Sequence, residues 1–578
     1  MTTPAYRSTL VTYLAPQRRK VALLSAALLS SIGLQLVVPL ILRRFIDAAL
    51  AGAAVTGLMV AGIAYLVAGV VNQVLSAAAT YLGADVGWTG TNRLREDLSS
   101  HLLGLDMGFH NERTPGEMIE RIDGDVTAVS NFISRFIVRL VGSGLLLFGV
   151  LIVSFFQDWR IGLAIGVYVA VVLSVIARMR GMAVEASEEE RDASAHLYGF
   201  IEERLAGIED IRSLGAGPFT MRRFVGVMRH FYDRTTAAWR KRTVFWTAAN
   251  TAFWSGDAIA LAVGVWLFEQ GAITIGTAYL IVQYVQLVRT PIEQVAQQFQ
   301  ELQKAAGGLI RIEDLRRVDS RLDETGTVLF PVGALPVAFD SVSFAYERRP
   351  VLHDVSFMLA AGRIMGLLGR TGGGKTTITR LISRLYDPDQ GLVRLGDVDL
   401  RSADRLALRR VVGVVTQEVQ LFRGTVRDNL CFFDRNRSDD EIMRVLERAG
   451  LGGWAAGIGL DTELGSSGSG LSAGEAQLLA FARVFLQDPG VVILDEPSSR
   501  LDPATETLLA TATERLFAGR TVVIVAHRLE TVRMADEIMV VEAGRIVEHG
   551  DRDDLARDPD SRYSGLLAGA RGDLLEAS

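Results

Sequence analysis

The run Gly369-Arg370-Thr371-Gly372-Gly373-Gly374-Lys375-Thr376-Thr377 fits the pattern G-x-x-x-x-G-K-[ST] and decides the fold of the C-terminal part of the chain. An apolar stretch, Ile364 to Leu368, precedes it with the length of a buried strand, and Ile378, Leu381, Ile382 and Leu385 follow at helical spacing. A strand that turns through glycines into a helix leaves backbone N–H groups facing the turn, where phosphate oxygens accept from them. The helix N-terminus adds its partial positive charge. In that setting Lys375 reaches the terminal phosphates of a nucleotide and the Thr376 hydroxyl ligates Mg²⁺.

Further along, a second apolar strand, Val491 to Leu494, ends in Asp495-Glu496. A carboxylate at the end of a buried strand can hold Mg²⁺ through water, and its neighbour can orient and deprotonate an attacking water. Standing alone, the pair would be read as two acids opening a loop. A third strand, Thr521 to Ala526, delivers His527 to a position where it could contact a γ-phosphate, although a lone histidine is more often structural.

Upstream the solvent changes. The chain has 578 residues, 49% of them hydrophobic, and a mean hydropathy of +0.26, high for a soluble protein. Apolar stretches near the ~20 residues that cross a bilayer occur at Val21 to Leu42, Val55 to Leu82, Ile137 to Phe156, Ile161 to Ile176, Val244 to Phe268 and Ala272 to Val288, six spans in all. The fourth is short, but only Gln157 to Arg160 separate it from the third, which predicts a tight helical hairpin. Connections after spans two and four are long, Gly83 to Arg135 and Arg178 to Arg242, and hold Arg93, Arg95, Arg113, Arg121, Arg191, Arg204, Arg212, Arg222, Arg223 and Arg240. The turn Glu269 to Gly271 has no cation, so the positive-inside rule predicts cytoplasmic long loops and cytoplasmic termini. These loops read as helices that continue the spans. Met1 to Lys20 is polar and lacks a short apolar region with a cleavage site, so the first span reads as retained.

A helical pattern over Gln294 to Arg317 gives way to a segment with Gly326, Pro331, Gly333 and Pro336, a linker. The formal net charge of −6 gives no global basic field, and no nucleic-acid partner is expected. With Cys431 as the one cysteine, an intramolecular disulfide is impossible and a cysteine zinc site has no basis.

Taken in order, these elements resemble the ATP-binding cassette superfamily over essentially the whole chain. Tyr346 matches the aromatic that stacks on adenine, and Gln417 the glutamine that senses Mg²⁺ and the membrane domain. Leu471-Ser472-Ala473-Gly474-Glu475 matches the signature, Ser499 to Asp502 the D-loop, and His527 the switch histidine. The resemblance implies that Ser472 and Gly474 of one subunit close over ATP held by Gly369 to Thr377 of another, with Glu496 as the base. Phe109 to Gly116 resembles a first coupling helix, and Ile201 to Phe224 the region of a second, pressing on the cassettes near Gln417.

Two features depart from pattern or invite a role. The usual signature is LSGGQ; Ala473 adds a methyl and Glu475 a negative charge near an anionic ligand. Either change could slow one site, or be a tolerated variant. Asp257 sits centrally in span five, where an ionisable residue marks a pathway or a hydrogen bond between helices. The resulting expectation is a six-helix all-α transmembrane domain, residues 1–318, a linker, 319–336, and an α/β P-loop nucleotide-binding domain with a helical subdomain, 337–578. It implies a multi-pass protein of the cell membrane that uses ATP and Mg²⁺ and pairs with a second half-transporter, a heterodimer favoured over a homodimer. The implied activity is a transport ATPase exporting a lipophilic, amphipathic or peptide-like small molecule or lipid. Import of a siderophore-like compound and a membrane regulator gated by ATP hydrolysis are the alternatives.

Overall fold

The computed structural model describes residues 12–568 except 14, 324, 418, 435, 466–470, 496–502 and 527–530. The chain divides into two compact units, one of residues 1–103 and 115–318, the other of residues 104–114 and 319–578.

The first unit is helical. Long helices run over Arg18–Leu50 (α1), Val55–Gly104 (α2), Gly142–Gln157 (α4), Trp159–Ala206 (α5), Gly217–Glu269 (α6) and Ile275–Arg316 (α7); α3, Met107–Glu112, belongs to the second unit. The expected hairpin between spans three and four is there. Asp158 turns the chain in extended conformation, and its carboxylate caps α5 by accepting from the Arg160 N–H at 2.7 Å. Span four, short in the sequence, opens a 48-residue helix, because the polar loop after it keeps helical spacing. A similar cap lies at the same end of the bundle, where Arg160 reaches Gln270 at 3.1 Å. Thr274 accepts from the Thr277 N–H at 3.1 Å, and Asp47, at the end of α1, accepts from Gly276 at 2.9 Å. That carboxylate both satisfies an orphan donor of α7 and offsets its dipole.

Five of the described helices are long and apolar enough to cross a bilayer. The sixth expected span lies in α7, which is long enough but less apolar: Leu280, Ile281, Tyr284, Val285 and Val288 are buried, while Gln283, Gln286 and Thr290 interrupt them on another face. Only one side of α7 packs into the core. Close approach elsewhere relies on Gly256, where a Cβ would collide with the Tyr168 ring of α5. Tyr284 is 1% exposed and donates to the Leu36 carbonyl at 3.0 Å, which makes its burial tolerable.

The second unit is built on a six-stranded sheet of order β12-β11-β3-β10-β9-β6, with β3 Ile364–Leu368, β6 Val412–Val415, β9 Val491–Asp495, β10 Thr521–Val525, β11 Glu537–Glu542 and β12 Arg545–Asp551. Its inner strands are parallel and covered on both faces, so they read as unbroken apolar runs; every residue of β10 is fully buried. A second sheet, β2-β1-β4-β5, holds β1 Val337–Tyr346, β2 Arg349–Leu359, β4 Gln390–Leu395 and β5 Val398–Asp399. The expected helical subdomain is present as Asp439–Ala449, Gly452–Ile458 and α9, Ala473–Gln487, which share a core through Ile442, Leu446, Leu478 and Leu479.

In the first unit Asp125, 3% exposed, is paired with Arg311 of α7, whose Nε donates at 2.9 Å. Removing the cation strands a buried charge, whereas neutralising the carboxylate leaves a half-exposed Arg able to hydrate. Arg311→Ala is therefore expected to cost on the order of 3 kcal/mol and Asp125→Asn less, read as thermal midpoints of the purified protein in detergent. Equal midpoints would show that the pair does not govern stability.

Candidate nucleotide site

Strand register brings the site together. In the parallel ladders Val415 lies beside Leu494, Asp495 beside Val525, and Val525 beside Leu367. The segments leaving β6, β9, β10 and β3, which carry Gln417, Asp495, the approach to His527 and the glycine loop, therefore start from one edge of the sheet. Ligands of parallel α/β sheets bind at that carboxyl edge.

The loop from Gly369 to Gly374 is shaped by backbone that only glycine accepts. Gly369 has φ +140° and a Cβ there would strike the Val541 carbonyl; Gly374 has φ +110° and N-caps α8, Lys375–Ile382. Lys375, 4% exposed, donates from Nζ to the carbonyls of Gly369 at 2.6 Å and Arg370 at 3.1 Å, folding its ammonium into the loop. Burial pushes its pKa below the ordinary lysine value, opposed by the charge of Asp495. A poorly solvated cation under a ring of N–H groups is what a polyphosphate would neutralise. Arg370, Thr371, Gly372 and Thr376 are exposed, while Gly373 and Thr377 are buried. The donors for a cation, Thr376 hydroxyl, Gln417 amide oxygen and Asp495 carboxylate, are all hard oxygens, a set that suits Mg²⁺ sharing its shell with phosphate and water.

Tyr346, at the end of β1, is held upright by edge contacts with Phe344 at 4.9 Å and Tyr386 at 5.2 Å. The Arg380 guanidinium lies 5.9 Å from its ring and donates to its hydroxyl at 3.1 Å. Arg380 and Tyr386 went unread in the sequence because neither belongs to a spaced motif. Tyr386 also accepts from Asn111 of α3 at 2.7 Å. That short helix is capped by Asp106, which takes the N–H of Phe109 at 3.1 Å and of Arg321 at 2.8 Å. Burial would raise the Asp106 pKa, but the N–H groups of Arg321, Phe109 and Gly108 outweigh it and hold the carboxyl below its usual range. The expected first coupling helix thus meets the aromatic end of β1 through Tyr386. The second, Ile208–Ser213, forms as a single short helix.

The signature segment opens α9. Ser472 accepts from the Glu475 N–H at 3.2 Å, and Glu475 accepts from the Ser472 N–H at 2.8 Å, a reciprocal capping box. Glu475 therefore directs its charge onto its own helix terminus, and Gly474 is buried beneath. Arg483, further along α9, donates to the carbonyls of Asn429 at 2.7 Å and Gln420 at 3.0 Å, tying α9 to the segment after Gln417. Burial among neutral acceptors lowers its pKa to about 10. Glu496, Ser499 to Asp502 and His527 lie outside the described residues.

Comparison with known proteins agrees with this arrangement. The ABC transporter transmembrane region matches residues 21–292, and the ABC transporter cassette residues 352–499. A Bacillus subtilis protein, "Uncharacterized ABC transporter ATP-binding protein YknV", is 30% identical over 574 residues, covering 96% of this chain and 93% of its own. The chain belongs to the ABC transporter family. A Staphylococcus aureus relative, "Putative multidrug export ATP-binding/permease protein", is 29% identical over 548 residues, 90% of this chain and 93% of that one. The fold matches the structure of a bacterial Atm1-family ABC exporter with ATP bound at TM-score 0.77 and 24% identity, covering 96% and 99% of the two chains. This ABC transporter is thus an ATP-binding transport ATPase, a multi-pass half-transporter of exporter fold, in a family whose half-transporters work as membrane dimers.

Glu475→Gln preserves the cap and removes the charge. It is expected to lower the thermal midpoint only slightly, by the lost charge–dipole contact, while lowering the ATP concentration for half-maximal ATPase by about threefold or more, the scale on which a charge acts on phosphate at several Å, where the signature resemblance puts it. A lowered midpoint with unchanged ATP dependence would make Glu475 purely structural.

Proposed function

We propose that this ABC transporter exports an amphipathic or peptide-like compound from the cytoplasm with MgATP, as one half of a heterodimer. In this reading residues 1–318 form the membrane domain, 319–336 a linker and 337–578 the cassette, with both termini cytoplasmic. The convergence of β3, β9, β10 and β6 on one edge carries the reading: a single site where phosphate, cation and water can meet. Tyr346 stacks on adenine; the backbone from Gly369 to Thr377, with Lys375, holds the phosphates. Thr376, Gln417 and Asp495 would hold Mg²⁺, which would neutralise phosphate charge. Glu496 takes the proton of the attacking water, and His527 orients the γ-phosphate. Ser472 and Gly474 complete the partner's site across the interface.

Export is supported by the exporter fold and by the name of the Staphylococcus relative. The heterodimer is supported by Glu475: in a homodimer both sites would receive that carboxylate, whereas a different half can confine it to one.

The division of labour predicts that Lys375→Ala abolishes ATP binding at micromolar nucleotide, while Glu496→Gln retains binding and slows turnover roughly 10²-fold or more, the usual contribution of a positioned base. The direct test is ATP-dependent accumulation of a labelled amphiphile in sealed inverted vesicles carrying this chain alone or with a second half-transporter. Accumulation only with the second half is expected. Full transport by the chain alone would overturn the heterodimer, and normal turnover of Glu496→Gln the base assignment.

A further inference from the structure

Within the first unit a cavity of about 530 Å³ opens among α1, α2, α7 and the helix that runs into α4. One wall is apolar, with Leu28, Ile32, Leu146 and Leu287; the rest is polar, with Ser31, Gln35, Arg139, Gln283, Gln286 and Gln294 prominent. Among the described lining residues Arg139 is the one ionisable group, and no carboxylate faces it. Asp257, the acidic residue expected to mark a pathway, is not among them; it lies near enough to Tyr168 to act on that phenol electrostatically.

Counting donors and acceptors narrows the chemistry. Gln35 donates one N–H to Ser31 at 3.2 Å and keeps the other, while the Ser31 hydroxyl is spent on Asn72 at 2.9 Å. Ser143 occupies the Gln294 amide oxygen at 2.7 Å, which leaves the Gln294 NH₂ unspent. Gln283 donates one N–H to Tyr279 at 2.9 Å and retains the other. Neither Gln286 nor Arg139 has a hydrogen-bond or ion-pair partner among the described residues, and Arg139 alone brings five N–H donors. Pro39 and Pro291 both line the cavity; lacking an N–H, they release the carbonyls of Gln35 and Leu287 from their helices. The surplus is thus amide and guanidinium donors, amide and backbone carbonyl acceptors, and one fixed positive charge with no negative one, beside an apolar wall.

We infer that this cavity is the binding site for an anionic amphiphile whose headgroup carries amide groups, and that it disfavours lipophilic cations. A carboxylate or phosphate would take the Arg139 fork, amide carbonyls the Gln286 and Gln294 NH₂ groups, and amide N–H groups the carbonyls freed by proline. The apolar portion lies against Leu28, Ile32, Leu146 and Leu287. A cation placed here meets Arg139 with no lining carboxylate to offset it. This assignment rests on the reading that the helical unit carries a solute.

Three dansyl probes of matched size separate the possibilities: dansyl-glycylglycine, its C-terminal amide, and monodansylcadaverine. Their binding to the full-length protein in nanodiscs, together with its partner half where one is required, is followed by fluorescence anisotropy without nucleotide. Dansyl-glycylglycine should bind at least about tenfold more tightly than monodansylcadaverine, as a charge-assisted bidentate contact implies. Arg139→Gln should abolish the preference for carboxylate over amide, Arg139→Lys should keep it within about threefold, and Gln286→Leu should weaken carboxylate and amide alike. Arg139 is exposed, so these variants should fold. Equal or tighter binding of the cation, indifference to Arg139→Gln, or no saturable binding of dansyl-glycylglycine would overturn the assignment. ATP-driven accumulation of the same probes in inverted vesicles tests transport separately: uptake of the cation alone keeps transport and rejects the substrate class. Arg139-dependent binding without uptake of any probe keeps the site and rejects transport.

Discussion

Parallel strand register is the constraint on which the cassette depends. A one-residue slip between β9 and its neighbours would move Val492 and Leu494 into the core that holds Val491 and Ile493, and the reverse, and displace Asp495 from the level of Gly369. The sheet resists such a slip because it is buried on both faces. Each buried Val or Ile of β9 and β10 contributes about 1.5–3 kcal/mol in transfer from water, and each is packed in one of two separate cores, so a shifted ladder would misfit both. Precision at the phosphate loop is therefore a by-product of core burial.

A second constraint acts on the helical unit, where lipid rewards apolar surface on the outside and leaves polar groups to the interior. The apolar window of α2 has no buried residue, while α7 buries its apolar face and turns amides toward the cavity. The turn before α7 shows the same economy: Asp47 closes the N-terminus of α7, so backbone donors at the bundle end find a carboxylate. Polar side chains of α7 and Arg139 face the open volume.

Much of the architecture was legible in advance. The glycine loop, the strand ending in Asp495 and the hairpin at Asp158 each follow from local rules of spacing, burial and turn chemistry. The extent of α5 is hidden from hydropathy, which stops at Ile176 whereas the helix continues to Ala206, stabilised by spacing and not by lipid. α7 shows the opposite limit: its apolarity is one-sided, so length and mean hydropathy disagree about it. Contacts distant in sequence were invisible. Nothing in Asn111 or Tyr386 announces that they meet, and the role of Glu475 as a helix cap emerges only when its carboxylate is seen to return to the Ser472 N–H. The cap gives Glu475 a structural duty that its place in the signature segment does not announce.

At the centre of the proposed cycle is a nucleotide held at the carboxyl edge of the sheet and completed by a signature helix from another subunit. Hydrogen exchange of the full-length protein in nanodiscs, followed by mass spectrometry with and without Mg²⁺ and a non-hydrolysable ATP analogue, probes both at once. Slowed exchange is expected for the amides of Gly369 to Thr377, and, in preparations containing the assembled dimer, also for those of Ser472 to Ala476. Saturating nucleotide that leaves the glycine-loop amides unchanged, or protects only segments away from that edge, would contradict the site itself.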